Sequence, residues 1–290
     1  MAASIHKRSP EELLDSLVNA AYDRAKFWAG IVLGIQALLF IGGVVAVFFS
    51  RFSLSYPWLA VPLAMISSAL GARASEFKGL AESLKRRLEN WSGFGRPLSK
   101  RMIADFRQEL PNSLPLEVDQ LLREGNTYAS TEQPGARRAA DNLSESSWFS
   151  HHLADWCAAA LGVVFFVTLG SSLALLFYAA ASVPGTKAGI LAAKCVSATL
   201  LFMISGGAWR AWQGYKRFSV RAKEIDREAG ALAAVESPDV CEVQRLLGEY
   251  QLARAAAPLI PTWVWRLPRH RLDADHKNQR ARTNRLLWIP

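Results

Sequence analysis

The sequence predicts an all-α integral membrane protein, with four transmembrane helices in two hairpins and helical cytoplasmic central and C-terminal segments. Three observations carry this. Phe27–Phe49 is 23 residues with no charged side chain and one Gln, long enough to cross a bilayer as a helix. Three further apolar blocks follow, and hydrocarbon admits only structures whose backbone hydrogen bonds close internally, so each block should be a helix. Basic residues avoid the two short connections between blocks, which hold only Arg51 and Lys187. The chain has 290 residues, 51% of them hydrophobic, and a net charge of +9. That composition excludes a wholly soluble and a disordered protein. The three cysteines, Cys157, Cys195 and Cys241, form no CxxC and exclude a disulfide scaffold.

The elements follow in order. Residues 1–26 read as a cytoplasmic helix. Ser9-Pro10-Glu11-Glu12 supplies an N-cap, a Pro at the first helical position and acids in the first turn. Leu13, Leu14, Leu17, Val18 and Ala21 mark one apolar face, which runs straight into span one. No cleavable signal peptide is apparent. Residues 27–72 form hairpin one, with span two at about Tyr56–Ala72 and a turn through Ser50–Ser55. Residues 73–155 form the central segment. Phe77, Leu80, Leu84, Leu88 and Trp91 recur at helical spacing there, and a turn at Ser92–Pro97 follows. Helices are expected at about Ser99–Leu110, Glu117–Arg123 and from Ala136 through Trp148 into span three, with a turn-rich stretch at Gly125–Gly135. Residues 156–212 form hairpin two, with Trp156–Val183 and Ala188–Trp212 as spans and Pro184-Gly185 in the turn. Residues 213–290 are a basic tail. Span four is expected to continue as a helix through Leu232, and a further helix starts at Ser237-Pro238-Asp239 and ends at Pro258 and Pro261.

Charge sets the orientation. Four basic residues lie in 1–26, twelve in 73–155 and fifteen in 210–290. The positive-inside rule therefore places both termini and the central segment in the cytoplasm, as expected for a multi-pass protein of an inner membrane.

Signatures of catalysis are scarce, and the chain is not read as an enzyme. No catalytic residue, metal or cofactor is assigned. Gly185-Thr186-Lys187 lacks the upstream glycine of a P-loop. His151, His152 and Asp155, and separately His270, Asp273, Asp275 and His276, have metal-ligand residue types, but a polar helix end and a solvated tail account for them. The tail mixes arginines with Trp263, Trp265 and Trp288. Contact with anionic lipid headgroups, binding of a phosphate-bearing ligand and plain positive-inside anchoring all fit it. Lys194 within span four either snorkels to the surface or lines a polar lumen. Gln36, Ser67 and Ser68 are the other pore-lining candidates. Gly30 and Gly34 form GxxxG, and Gly42-Gly43 and Gly206-Gly207 are further points where helices can approach.

The plan resembles the SMODS-associated four-transmembrane effector family. Short motifs carry the likeness: Leu88-Glu89-Asn90-Trp91 with Gly95-Arg96-Pro97 after the second span, and Ser146-Ser147-Trp148-Phe149-Ser150 before the third. In the tail, Val243-Gln244, Tyr250, Arg254 and Pro258-Leu259-Ile260-Pro261-Thr262-Trp263-Val264-Trp265 resemble a family pattern with Asp at the position of Thr262. Lys85-Arg86-Arg87 replaces the acid-rich stretch of the family pattern, and its Arg/Cys-rich stretch before Trp148 is absent. The resemblance implies a pore-forming effector of bacterial antiphage defence. It would be a homo-oligomer that binds a cyclic oligonucleotide made by an upstream nucleotidyltransferase and then breaches the inner membrane. Arg96, Arg137, Arg138, Arg254 and Arg266 are then the expected phosphate contacts, and Trp91, Trp148 and Trp263 the stacking or packing anchors. A constitutive anion channel and a non-conducting scaffold are the alternative readings of the same residues.

Overall fold

A computed structural model describes residues 10–96, 130–182, 207–261 and short stretches at 189, 193–197, 199–200, 203, 264, 272 and 274–276. The described residues hold five long helices and no strand: α1 (Pro10–Phe48), α2 (Ser50–Phe94), α3 (Ala136–Ser182), α4 (Ala208–Ala233) and α5 (Val240–Ala256). The expected helices at 99–110 and 117–123, the turn at 183–187 and most of span four lie outside the described residues.

α1 and α3 are long and apolar enough to cross a membrane. Both are much longer than a crossing needs: 39 and 47 residues give about 58 and 70 Å at 1.5 Å per residue, against about 30 Å of hydrocarbon. One half of each is apolar and open, with Leu33 and Val163 both more than 60% exposed. The other half carries a packed core. An exposed apolar surface of this size marks a face that contacts a membrane or another protein.

α1 and α2 are antiparallel and meet at Phe49 alone. The expected turn at Ser50–Ser55 is instead the first part of α2, because polar residues are accepted in the opening turn of a helix. Near this end, the Tyr56 hydroxyl donates to the Leu39 carbonyl, and its ring lies on Gly42 and Gly43; a β-carbon on Gly42 would come within 2.8 Å of it. Gly30 and Gly34 have no such neighbour, so the GxxxG pair makes no close approach among the described residues. At the far end of the hairpin, Leu14, Leu17, Val18 and Ala20 of α1 pack on Leu84 and Leu88 of α2, with Trp91 beside them. α2 runs through the expected boundary at 72/73 without a break. It stops at Gly95, whose φ of +66° is left-handed and whose N–H donates to the Trp91 carbonyl at 2.8 Å.

α3 runs unbroken through the boundary at 155/156. It packs antiparallel to α4, which packs antiparallel to α5. Phe218, Ala222, Ile225 and Ala229 of α4 meet Leu246, Leu247 and Tyr250 of α5 over Leu143 and Ala154 of α3. The Asp155 carboxylate accepts from Ser219 at 2.6 Å, and Asp226 accepts from Ser144 at 2.8 Å, which pins the α3–α4 register. The continuous helix expected from span four into the tail is interrupted. Gly207 sits at φ +79° immediately before α4, a conformation that glycine adopts at little cost. α5 starts at the expected Ser237-Pro238-Asp239: the Asp239 carboxylate caps it, accepting from the Cys241 N–H at 3.0 Å, and Val240, the first helical residue, is exposed.

Candidate functional site

Two constructions in the packed half draw residues from distant parts of the chain. The first is an ionic junction between α2 and α5. Lys78, Glu82 and Glu89 lie on one stripe of α2 at helical spacing, facing Tyr250, Gln251 and Arg254 of α5. The Arg254 guanidinium donates through Nε to Glu82 at 3.0 Å and through Nη1 to Glu89. Gln251 donates to Glu89 at 2.9 Å, and the Tyr22 hydroxyl of α1 donates to Glu82 at 2.6 Å. The Lys78 ammonium donates to the carbonyls of Ala255, at 2.6 Å, and Ala257. That places a cation on the negative end of the α5 dipole. Arg254 also lies over the Tyr250 ring at 5.1 Å.

Electrostatics here are strongly coupled. Burial pushes the Glu89 carboxyl up, but Arg254, then Lys85, and hydrogen bonds from Arg254 and Gln251 outweigh it and hold the group below the usual carboxylate range. Burial alone would lower the Arg254 pKa, yet Glu89, Tyr250, Tyr22 and Glu82 keep the guanidinium firmly charged. Lys78 is pulled below its ordinary value by burial, with Glu82 opposing.

The second construction is the corner where α2 ends and α3 begins. Gly135 N–H donates to the Gly93 carbonyl at 2.9 Å. A β-carbon on Gly93 would lie 2.9 Å from that of Ala139, and one on Gly95 would lie 2.6 Å from that of Pro134. These close approaches bring the neighbours of Gly95 and Gly135, namely Arg96, Arg137 and Arg138, to one corner. Arg96 is exposed and lies over the Phe94 ring at 5.6 Å. Arg137 meets Glu132 at 3.5 Å with both side chains nearly half exposed. Arg138 donates to the Glu132 carbonyl at 3.4 Å, and its Nε is buried with no partner among the described residues. Behind the corner is a recess of about 10 Å³ lined by Glu89, Ser92, Ala139, Asn142, Ser146 and Tyr250, among others. Ser92 and Asn142 are more than nine-tenths buried, and among the described residues neither the Ser92 hydroxyl nor either polar atom of the Asn142 amide has a hydrogen-bond partner.

The remaining predicted positions are dispersed. Trp148 is buried, with its ring among Phe149, His152 and His276, so it packs rather than presenting a free face. Trp91 is half-buried against the α1–α2 core. Trp263 and Arg266 lie outside the described residues. Among the pore-lining candidates, Ser67 is buried, Gln36 is half-buried, and Ser68 and Lys194 are exposed. His151 and His152 each turn Nδ1 to a backbone carbonyl, of Ser147 and Trp148 respectively, while Asp155 is taken by Ser219. Burial and its neighbour His152 lower the His151 pKa to about 4. Among the described residues no group of three or more His, Cys, Asp or Glu could hold a metal ion.

Of the predicted phosphate contacts, the fold therefore gathers Arg96, Arg137 and Arg138 and commits Arg254 to two internal carboxylates. Lys78, Glu82, Glu89, Ser92, Asn142 and Gln251 were not among the residues expected at a site. The available signal was the spacing of Lys78, Glu82 and Glu89, which form a charged stripe beside the apolar stripe of Leu80, Leu84 and Leu88.

The fold and these constructions define an all-helical protein with two helices able to cross a membrane and a packed polar end built from three parts of the chain. Comparison with protein families, with curated proteins and with solved structures finds no match.

Proposed function

We propose that the chain is a four-span inner-membrane effector, both termini cytoplasmic, whose cytoplasmic helices hold two transmembrane hairpins in a closed packing until a phosphorylated signal binds. As an oligomer it then permeabilises the membrane. The observation that carries this reading is the α2–α5 junction. α2 is the continuation of hairpin one, and α5 packs on α4, which follows hairpin two. Arg254, Glu82 and Glu89 thus join the two hairpins through a buried charged contact. Such contacts are exacting in geometry, because removing one partner strands a buried charge. A contact of this kind has two discrete arrangements, made and unmade, and a ligand that prefers one of them shifts the balance. The exposed apolar halves of α1 and α3 support a bilayer as the surrounding medium. By the family resemblance, the signal is a cyclic oligonucleotide and the setting is antiphage defence.

Liposomes holding the purified protein test this by dye leakage with a panel of cyclic di- and trinucleotides. The expected result is leakage with one nucleotide and tight vesicles without it. Leakage that needs no nucleotide would instead indicate a constitutive channel, and tight vesicles throughout a scaffold.

A further inference from the structure

We infer that the recess between α2, α3 and α5 binds one ordered water molecule, held by Ser92 of α2 and Asn142 of α3 and donating to Glu89. Hairpin one is then joined to α3 through a water, as it is joined to α5 through Arg254. The inference concerns the packing of three helices and does not depend on what the protein does to a membrane.

Buried polar groups are almost always paired. Ser92 and Asn142 are more than nine-tenths buried, yet among the described residues the Ser92 hydroxyl and both polar atoms of the Asn142 amide lack a partner. Both residues line the same recess, which Leu143 and Leu247 close on the apolar side. Its volume of about 10 Å³ is room for one water molecule and for nothing larger.

The chemistry of the lining selects the occupant. Asn142 presents a donor and an acceptor, and Ser92 a hydroxyl, so the fitting group both donates and accepts. A metal ion would be repelled by the amide N–H, and an ammonium ion would leave that N–H unmet. Water has two protons to give and two lone pairs to receive. Glu89 adds an acceptor: Arg254 and Gln251 together send three hydrogen bonds to its carboxylate, which has about four lone-pair directions. Charge points the same way. Glu89 is held ionised by Arg254 and Lys85, which turns an anion away. Those two cations already offset it, so a further cation meets no excess of negative charge.

The surrounding groups do not compete for these atoms. Tyr250 lines the recess from α5, but its hydroxyl donates to the Ser146 carbonyl at 3.1 Å and lies 2.7 Å from the Ser150 hydroxyl. On the α2 side, Gly93 lets the helix approach Ala139 so closely that a β-carbon there would lie 2.9 Å from that of Ala139. Ala139 also lines the recess, so the water sits beside the tightest contact between α2 and α3.

The test uses the full chain in uncharged detergent micelles. Oxygen-17 relaxation dispersion of the solvent counts long-lived internal waters. Asn142→Leu, which keeps the volume and removes both polar atoms, should hold one fewer than the wild type, and an equal count would overturn the inference. Ser92→Ala is the gentler change and keeps the site testable if Asn142→Leu does not fold. It should lower the folding equilibrium constant about fivefold, the worth of one buried hydrogen bond. A hydroxyl with no water on it would give the opposite sign, because its removal relieves a buried unpaired group. A Ser92→Ala variant as stable as the wild type, or more so, would therefore also overturn the site. Replacing sodium chloride by choline chloride should shift the melting of wild type and Ser92→Ala alike. Stabilisation by sodium in the wild type that Ser92→Ala loses would assign the recess to a cation and overturn the water.

Discussion

Arg254→Met is expected to destabilise the packed half by about 3–5 kcal/mol, the usual cost of removing one partner from a buried ion pair. The side chain is only 14% exposed and serves two carboxylates that are more buried still. Without the guanidinium, Glu89 keeps Gln251 and the more distant Lys85, and its carboxyl must take up a proton or admit water. Replacing Glu82 and Glu89 by Gln in the Arg254→Met background should recover part of the loss, because no buried charge is then stranded. Thermal unfolding in detergent, followed by tryptophan fluorescence, checks both. Loss well under 1 kcal/mol in the single variant would mean that the junction is solvated and holds nothing.

The second large effect is apolar. Leu246→Ala should cost about 2–5 kcal/mol, the range for a fully buried leucine truncated in a core that relaxes only in part. Leu246 has no exposed surface and sits among Phe218, Ile225 and Tyr250, where α3, α4 and α5 meet. Leu252→Ala, on the same helix but 66% exposed, should change stability by no more than about 0.5 kcal/mol. The contrast between the two separates packing from any general effect of shortening a side chain on α5. Equal losses would place α5 differently from the packing described here.

The long helices were legible in the sequence because their signals are local. The i, i+4 spacing of Leu80, Leu84 and Leu88 carries α2, and Gly95 after Trp91 marks its end inside the expected turn at Ser92–Pro97. Likewise, α3 begins at the expected Ala136, after the turn chemistry of Pro134-Gly135. The errors lie where one residue type serves two purposes. Ser50–Ser55 reads as a turn but opens a helix, and Gly207 reads as a packing glycine but takes a left-handed conformation that breaks one. The Arg96–Arg137–Arg138 cluster was legible as residue types and not as a place, since two glycine close approaches create it. The junction was least legible of all. Charges at helical spacing on α2 look solvated until α5, more than 160 residues later, covers them.

If the α2–α5 contact holds the hairpins closed, reversing its charges should open them. Arg254→Glu, Glu89→Arg and the double variant would each be placed in liposomes and compared with the wild type for dye leakage without any nucleotide. Each single reversal should leak, and the double reversal, which restores an opposite-charge pair across the contact, should be tight again. Single variants that fold and stay as tight as the wild type, or a double variant that leaks as much as the singles, would mean that the contact does not hold the hairpins closed.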